Sequence, residues 1–391
     1  MKRFLKMPIF PCVLVAVLAT LLLRTGVAEA TSSFTCGAWS IISSPTYSGT
    51  GYTFFAGVAP VSARNIWAIG SYSNFSKTMI DHWNGTQWSV VSSPNPDPGL
   101  SYNDLRGVTA ISAHNIWTVG MYRNSSGITQ TLIEHWNGVK WRVISSPSPG
   151  SGGNSLFGVA ATSATDVTAV GSYFNNTDPN LLQTLIEHWN GKQWSIVQSP
   201  NIPSVSSSLS GVSVLSVNNK WAVGTSYINN TQQTLIEHWD AITWGIVPSP
   251  NLSGVNALYR VTAIAANDIW AVGTASVNTL VEHWDGTSWS IISSPSPGSG
   301  AKTLNGVTAI SSTDVWAAGS AQTGSNGVVQ TLIEHWNGIN WSVVPSPNPE
   351  PSNNGSLNAV ARVPGTTSQI WAVGSYADSN NTGQTLTEFY C

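Results

Sequence analysis

Short stretches that alternate between apolar and polar residues cover the chain after Thr31 and predict β-strands rather than helices. The stretches are rich in β-branched and aromatic residues, which favour strands. In most units an Asn-Gly or Asp-Gly step joins the third stretch to the fourth, which indicates a tight hairpin. A Ser-Pro pair then ends the fourth stretch, because proline cannot donate to a strand ladder. The chain therefore reads as units of four antiparallel strands.

The four-stranded unit recurs along the whole chain after the first thirty residues. His-Trp pairs end the third strand at 82–83, 135–136, 188–189, 238–239, 283–284 and 335–336, so that one unit spans 45–53 residues. A second consensus, which covers the first two strands, occurs seven times and carries Thr168 instead of Trp in its third copy. This is the period of a propeller blade. The sequence predicts an all-β protein, a seven-bladed β-propeller.

The two ends of the repeat region are complementary. The seventh unit stops at Cys391 without a fourth strand, whereas residues 39–45 match the fourth strand at 341–347. We expect the N-terminal strand to complete the last blade by pairing with residues 385–390, which closes the ring and leaves no free sheet edge at the seam. The predicted blades cover 55–94, 105–147, 156–200, 209–250, 258–295, 304–347, and 357–391 together with 39–45.

One set of positions resembles the kelch repeat. Trp289, Pro295, Ile310 and the run Trp316-Ala-Ala-Gly319 occupy the positions of a turn-proximal Trp, a Pro and a strand that ends in an aromatic residue and Gly. The resemblance covers residues 36–391 and implies the propeller fold without implying an activity. The chain departs from the kelch pattern where a Gly-Gly doublet is usual, because it has Gly-Ser or Gly-Thr there.

Tryptophan dominates an otherwise weakly charged composition. Only 8% of residues are charged, against about 25% in a typical soluble domain. Of the 19 tryptophans, six lie in second strands, six follow His in third strands and seven open fourth strands, so every one belongs to the repeat. This regularity predicts that they pack blade against blade. The alternative is a multivalent lectin with one equivalent site per blade.

Acid-His pairs precede the third-strand Trp in six units, from Asp81-His82 to Glu334-His335. Neighbouring residues of a strand point to opposite faces, so the two side chains of a pair do not share a site, and copies spread around a ring do not converge on one metal. We expect these acids and histidines to satisfy buried hydrogen bonds between blades. With them set aside, we identify no catalytic residue, no metal site and no cofactor site.

The first thirty residues have the features of a secretory signal peptide. Lys2, Arg3 and Lys6 precede an apolar run from Val13 to Leu23, and the small-residue pattern Ala28-Glu29-Ala30 follows. We expect a signal peptide at 1–30 and a secreted protein; an uncleaved anchor is the alternative, and it would be the one contact with a membrane. Removal of residues 1–30 changes the net charge from −3 to −6, which argues against a nucleic-acid partner.

Two cysteines, Cys36 and Cys391, remain after removal of the leader. Aligned on the first unit, Cys36 falls at Gly85 and Cys391 at Asn84, which are neighbours in an intact turn between the third and fourth strands. Residues that are sequential in other blades should therefore lie close enough for a disulfide. An oxidising compartment favours the bond.

Loops of variable length predict the binding face. The loops between second and third strands, and between blades, share one face of a propeller, and here they vary most at 96–106, 149–157, 174–182, 321–329 and 349–357. Function concentrates on variable loops held by a rigid scaffold. The candidate binding residues in those loops and their flanks are Tyr102, Asp104, Arg106, Arg123, Tyr173, Asp178 and Tyr227.

The sequence leaves three functions open. The first is a secreted, monomeric, non-enzymatic binding or scaffold propeller that recognises a glycan, a cell-surface polymer or a protein. The second is an extracellular carbohydrate-active hydrolase or lyase, which would bring acids, His or Tyr together at the central mouth of the variable face. The third is a surface-layer or matrix component without a small ligand.

Overall fold

Seven antiparallel sheets of four strands each account for the strands of the described residues. The computed structural model describes residues 36–47, 51–96, 102–323 and 327–391. The predicted signal peptide and Asp97 lie outside these ranges, as do residues 98–101 and 324–326 of the variable loops. In the described part of the chain, no helix is long and apolar enough to cross a membrane.

Within each blade the strands run from the central channel outward in chain order, and a strand from the N-terminal segment completes the last blade. Strand β1 (Ser40–Ile41) precedes blade 1, which contains β2 (Phe54–Ser62), β3 (Asn65–Tyr72), β4 (Lys77–Trp83) and β5 (Trp88–Val90). Blade 2 contains β6 (Asn103–Ser112), β7 (Asn115–Arg123), β8 (Thr129–Trp136) and β9 (Trp141–Val143). Blade 3 contains β10 (Asn154–Ser163), β11 (Asp166–Phe174), β12 (Leu182–Trp189) and β13 (Trp194–Val197).

The remaining four blades repeat this order. Blade 4 contains β14 (Ser207–Ser216), β15 (Asn219–Ile228), β16 (Thr231–Trp239) and β17 (Trp244–Ile246). Blade 5 contains β18 (Asn256–Ala265), β19 (Asp268–Ala275), β20 (Asn278–Trp284) and β21 (Trp289–Ile291). Blade 6 contains β22 (Lys302–Ser311), β23 (Asp314–Thr323), β24 (Val328–Trp336) and β25 (Trp341–Val344). Blade 7 contains β26 (Gly355–Arg362), β27 (Ile370–Ala377), β28 (Gly383–Tyr390) and β1.

The predicted closure of the ring is confirmed. Strand β1 pairs antiparallel with β28, with Ser40 opposite Phe389 and Ile41 opposite Glu388. The Cys36–Cys391 disulfide is present, and its two Cα atoms are 4.8 Å apart. The bond occupies the place where each of the other six blades has a short turn between its third and fourth strands.

Indole packing joins neighbouring blades at six of the seven interfaces, and blade 3 has Thr168 in place of the indole. Trp117 of β7 stacks on His135 of its own blade, with ring centroids 4.2 Å apart, and contacts Trp189 and Trp194 of blade 3 at 5.0 and 5.4 Å. Trp117 is 2% exposed. Truncation of such a buried indole to Ala costs about 3–5 kcal/mol. The tryptophans of the second and fourth strands thus have the packing role that their regular spacing predicts.

A buried carboxyl group lies at every interface between blades. Each is the acid of the third strand, and none is exposed to solvent. In three interfaces a serine at the end of the preceding blade donates to it, as Ser93 does to Glu134 at 3.0 Å and Ser199 to Glu237 at 2.8 Å. In blade 1 the hydroxyl of Tyr47 donates to Asp81. Four of the seven acids therefore bond between blades as expected. The carboxyl oxygens of the other three, Glu187, Glu282 and Glu334, have no hydrogen-bond partner among the described residues.

The histidines differ from this expectation, because each bonds within its own blade. The strand alternation points the ring of His82 away from the acid, toward Asn65 at the start of β3, with Nε2 3.0 Å from Asn65 Oδ1. The same bond recurs between His135 and Asn115 at 2.9 Å. The histidine thereby fixes the first hairpin of its blade.

We expect loss of the disulfide to lower the free energy of unfolding by about 2–5 kcal/mol, because the bond closes a loop of almost the whole folded region. Urea denaturation of the Cys36→Ser/Cys391→Ser double variant measures the effect. The reduced wild-type protein is the control and should match the variant. Equal stability of the oxidised wild type and the variant would contradict the prediction.

Between about pH 7 and pH 9 we expect the free energy of unfolding to fall by about 1 kcal/mol for each buried glutamate. Burial raises the pKa of these carboxyl groups from 4.5 to about 8, and a neighbouring serine offsets part of that shift. The folded state therefore binds more protons than the unfolded state and loses stability as the pH rises through this window. The glutamates are Glu134, Glu187, Glu237, Glu282, Glu334 and Glu388.

Denaturation at both pH values tests this in matched variants. Glu187→Gln should remove about 1 kcal/mol of the fall, because an amide does not ionise, whereas Glu350→Gln in the 349–357 loop should leave it unchanged. Burial lowers the pKa of His82, His135 and His238, which affects stability only below about pH 6.5 and thus outside this window. An identical pH dependence in both variants would refute the role of the buried acid.

Candidate functional site

A β-bulge interrupts the first strand of every blade at the same position. In blade 2 the pairing with β7 passes from Leu105 directly to Gly107 and leaves Arg106 out of the ladder. A bulge re-aims the side chain of the extra residue. The seven bulge residues are Ala56, Arg106, Phe157, Ser210, Tyr259, Asn305 and Asn358. Five of them line a pocket of about 320 Å³ at the channel mouth on the variable-loop face.

Below this mouth the channel is narrow, because small residues bring the first strands close together. Its cavity of about 150 Å³ is lined by the first strands of all seven blades. A Cβ atom on Gly211 would lie only 2.8 Å from the carbonyl oxygen of Tyr259 in the next blade. Five blades have glycine at this position and blade 7 has Ala359, whereas blade 5 has Arg260. The ring thus admits one long side chain at the junction of channel and mouth.

Arg260 is held by backbone carbonyl groups. Its Nη1 donates to the carbonyl oxygens of Ser210 at 2.8 Å and Tyr259 at 2.9 Å, and its Nη2 reaches that of Arg106 at 3.5 Å. Burial, together with the charge of Arg106, lowers the pKa of Arg260 to about 10. Arg260 remains cationic at neutral pH, and in the part of the chain that the structure describes no carboxylate is paired with it.

Arg106 is fixed beside it by one carboxylate and two rings. Its Nε donates to Asp104, which is fully buried and also accepts from the hydroxyl of Ser71. Burial raises the pKa of Asp104, and Arg106 and Ser71 offset part of the shift. The guanidinium carbon of Arg106 lies 5.6 Å from the ring centroid of Phe54 and 5.7 Å from that of Phe75. Two cations and one carboxylate leave the mouth with net positive charge.

Aromatic rings form one wall of the mouth. Tyr52 contacts Phe54 at 5.8 Å, Phe54 contacts Phe75 at 5.3 Å, and Phe75 stacks on Tyr102 at 5.9 Å between ring centroids. Tyr259 lies across the pocket, and burial, with a contribution from Tyr227, raises the pKa of its hydroxyl group. The phenol of Tyr259 is therefore protonated at neutral pH.

Amide side chains complete the lining. The Nδ2 atoms of Asn305 and Asn358 donate to the carbonyl oxygens of Leu357 and Phe55 in the following blade, at 2.9 and 2.8 Å. In the described ranges, no group of three or more His, Cys, Asp or Glu side chains is arranged to hold a metal ion. The mouth thus offers positive charge, aromatic faces and hydrogen-bonding groups.

The structure brings part of the predicted set together. Tyr102, Asp104 and Arg106 lie side by side at the edge of the mouth, and burial raises the pKa of Tyr102. Tyr102 also lines, with Arg123, a separate groove of about 270 Å³ where blades 2 and 3 meet. Arg123 is therefore placed outward from the two arginines of the channel.

The other predicted residues lie apart from one another. The hydroxyl of Tyr173 donates to Gln183 Oε1 at 2.7 Å within blade 3. Asp178 lies in the exposed loop between β11 and β12, where it accepts from the backbone of Asn180 at 3.0 Å. Tyr227 is 51% exposed and is not among the residues that line the mouth.

The mouth also contains five residues that were not predicted from the sequence, namely Tyr52, Phe54, Phe75, Tyr259 and Arg260. A signal for the bulge ring was present in the repeat itself. Six of the seven first strands have Leu before the bulge residue and five have Gly after it, whereas the residue between them changes in almost every copy. A position that varies between constant neighbours indicates a side chain that takes no part in the packing common to all blades.

Solved structures match this chain as propellers at low sequence identity. YCF48 bound to a D1 peptide has a TM-score of 0.55 and 13% identity, with 93% of this chain and 99% of that chain covered. A PL25 ulvan lyase bound to -[GlcA(1-4)Rha3S]- has a TM-score of 0.58 and 8% identity, covering 88% and 95%. The GH74 xyloglucanase of Xanthomonas campestris has a TM-score of 0.57 and 11% identity, covering 89% and 55%.

These matches establish the fold and no more. No protein-family model matches the chain, and no curated protein does. The kelch likeness therefore remains a resemblance. Binding proteins and carbohydrate-active enzymes occur together among the structural neighbours.

Proposed function

We propose that the protein is a secreted binding propeller that holds an acidic glycan chain across the channel mouth. The observation that carries the proposal is Arg260. It replaces a glycine of the inner ring and lies with Arg106 in one pocket of about 320 Å³. A guanidinium group that has no carboxylate partner and lines a pocket is suited to a carboxylate or sulfate ester.

The charge distribution supports an anionic ligand. The whole chain carries a net charge of −3, yet the mouth concentrates two cations against the one carboxylate of Asp104. Such a local field attracts anions and raises their rate of association. A neutral glycan would leave the charge of Arg260 unused.

The remaining lining supports a sugar polymer. Aromatic rings beside a few polar groups are typical of small-ligand sites, and here Tyr52, Phe54 and Tyr259 lie beside the amides of Asn305 and Asn358. Among the similar scaffolds, the PL25 lyase was solved with a glucuronate-containing ligand. The predicted leader and the disulfide are consistent with an extracellular protein.

One observation favours the enzymatic alternative, a lyase or hydrolase on the same scaffold. Tyr259 places a phenol group next to Arg260 in the mouth, and its raised pKa keeps that group protonated at neutral pH. A protonated phenol beside a cation can act as a general acid toward a bound sugar. The same ligand would then be cleaved rather than only held.

Calorimetric titration of the purified protein with a glucuronate-containing oligosaccharide tests the proposal. We expect saturable binding that weakens with added salt and no binding of a neutral oligosaccharide of equal length. Arg106→Gln and Arg260→Gly should each weaken binding by about tenfold or more, the loss of a charge-assisted hydrogen bond. Glycine suits position 260 because it is the residue that most blades have there.

Arg64→Gln is the matched control, because it removes the same charge from an exposed turn on the opposite face. Its binding should equal that of the wild type. Absence of binding, or equal losses in all three variants, would overturn the proposal. Product formation that Tyr259→Phe abolishes without loss of binding would establish the enzyme instead.

A further inference from the structure

The interface between blades 3 and 4 departs from the repeat. At the position of the second-strand indole, blade 3 has Thr168. At the position where six blades have Ile or Val, blade 4 has Lys220, which is only 5% exposed. The turn between β16 and β17 has Ala241 with a φ of 82° where most blades have glycine. Three departures thus lie at one interface.

The partners of the missing indole are still present. In the neighbouring interface His135, Trp189 and Trp194 surround Trp117. Their counterparts between blades 3 and 4 are His188, Trp239 and Trp244, and all three line a cavity of about 440 Å³. The two indoles lie 6.0 Å apart. The cavity is therefore an aromatic enclosure without its usual ring.

Lys220 replaces the polar function of the indole but not its volume. In blade 5 the Nε1 of Trp270 donates to Asp268 Oδ1 at 3.0 Å. In blade 3 the equivalent oxygen, Asp166 Oδ1, instead accepts from Lys220 Nζ at 2.5 Å and lies 2.7 Å from His188 Nε2. Lys220 Nζ also donates to Thr168 Oγ1 at 3.0 Å. These bonds use two of the three ammonium N–H groups.

The charges of the cluster balance. Burial raises the pKa of Asp166, but hydrogen bonds from Lys220, Thr162 and His188 outweigh it and hold the pKa below its usual value. The carboxylate therefore compensates the ammonium group, and the cavity has no net charge to attract an ion. Its entrance lies at the exposed residues Val217 and Ala241, on the face opposite the channel mouth.

We propose that this cavity is a second binding site, which takes a planar aromatic molecule of one or two rings bearing an oxygen acceptor. The ring would occupy the position of the missing indole between His188 and the two tryptophans, and the oxygen would accept the third N–H of Lys220. A cavity of this size is within the roughly 300–1,000 Å³ of small-molecule sites. A cavity left by a missing side chain binds rings of matching shape, and here Lys220, Asp166 and His188 add polar groups to its lining.

Calorimetric titration with naphthol, a two-ring probe with one oxygen, tests the proposal. We expect saturable binding to the wild type and at least about tenfold weaker binding of decahydronaphthol, which has the same skeleton but is not planar. The double variant Thr168→Trp/Lys220→Ile restores the repeat residues and fills the cavity. It should fold, lose naphthol binding by at least about tenfold, and keep the binding of the acidic oligosaccharide at the mouth.

A transplant provides the complementary test. Trp270→Thr/Val315→Lys would place the same pair of residues next to Asp268, His283, Trp336 and Trp341, whose arrangement in blades 5 and 6 matches the natural site. If circular dichroism shows that this variant folds, it should bind two naphthol molecules instead of one. Absent binding to the wild type, equal binding of both probes, or unchanged binding in the Thr168→Trp/Lys220→Ile variant would each overturn the proposal.

Discussion

The packing of one indole against the tryptophans of the next blade recurs around the ring and sets the spacing of the blades. Trp371 of blade 7 makes this contact with Trp83 and Trp88 of blade 1, at 5.1 and 5.3 Å between centroids. At the seam the partner of Trp316 is Trp39, which the N-terminal segment contributes. The contact is thus made at the seam only because the first strand of the chain belongs to the last sheet. The buried carboxyl groups lie inside the same interfaces and depend on the same spacing.

The channel mouth follows from this outer packing. Because the interfaces fix the distance between blades, the first strands converge until glycine is the residue that fits between them. The bulge that precedes each glycine then releases one side chain per blade from the ladder. Arg106 and Arg260 are 154 residues apart in sequence and meet at the mouth because the ring closes. The mouth is thus cationic because closure of the ring brings these two arginines together.

The fold could be predicted from the sequence because each blade is one copy of a sequence repeat. Strand order, blade number and the disulfide follow from aligning the copies, and residues such as Cys36 and Cys391 could be placed by analogy with Gly85 and Asn84. The residues of the channel mouth could be predicted from the sequence only in part. Strand alternation predicts where ladder residues point, but a bulge shifts that alternation, so alternation alone does not assign Tyr259 to the channel. Arg260 was not predicted as a site residue, because it stands out only when its position is compared with the glycines of the other blades.

The seven bulge residues lie at the channel, apart from the indoles and carboxyl groups that pack blade against blade. Ala56, Arg106, Phe157 and the four residues equivalent to them share one backbone geometry despite their different chemistry. Exchange of one for another therefore alters the mouth without disturbing the ladder, and within the described ranges only the side chains of Asn305 and Asn358 among them also hydrogen-bond to the following blade. Changes at the five bulge positions that line the mouth would give related proteins different ligands, much as antibodies vary loops on a constant frame. The same propeller framework can therefore carry binding sites of different chemistry at its channel mouth.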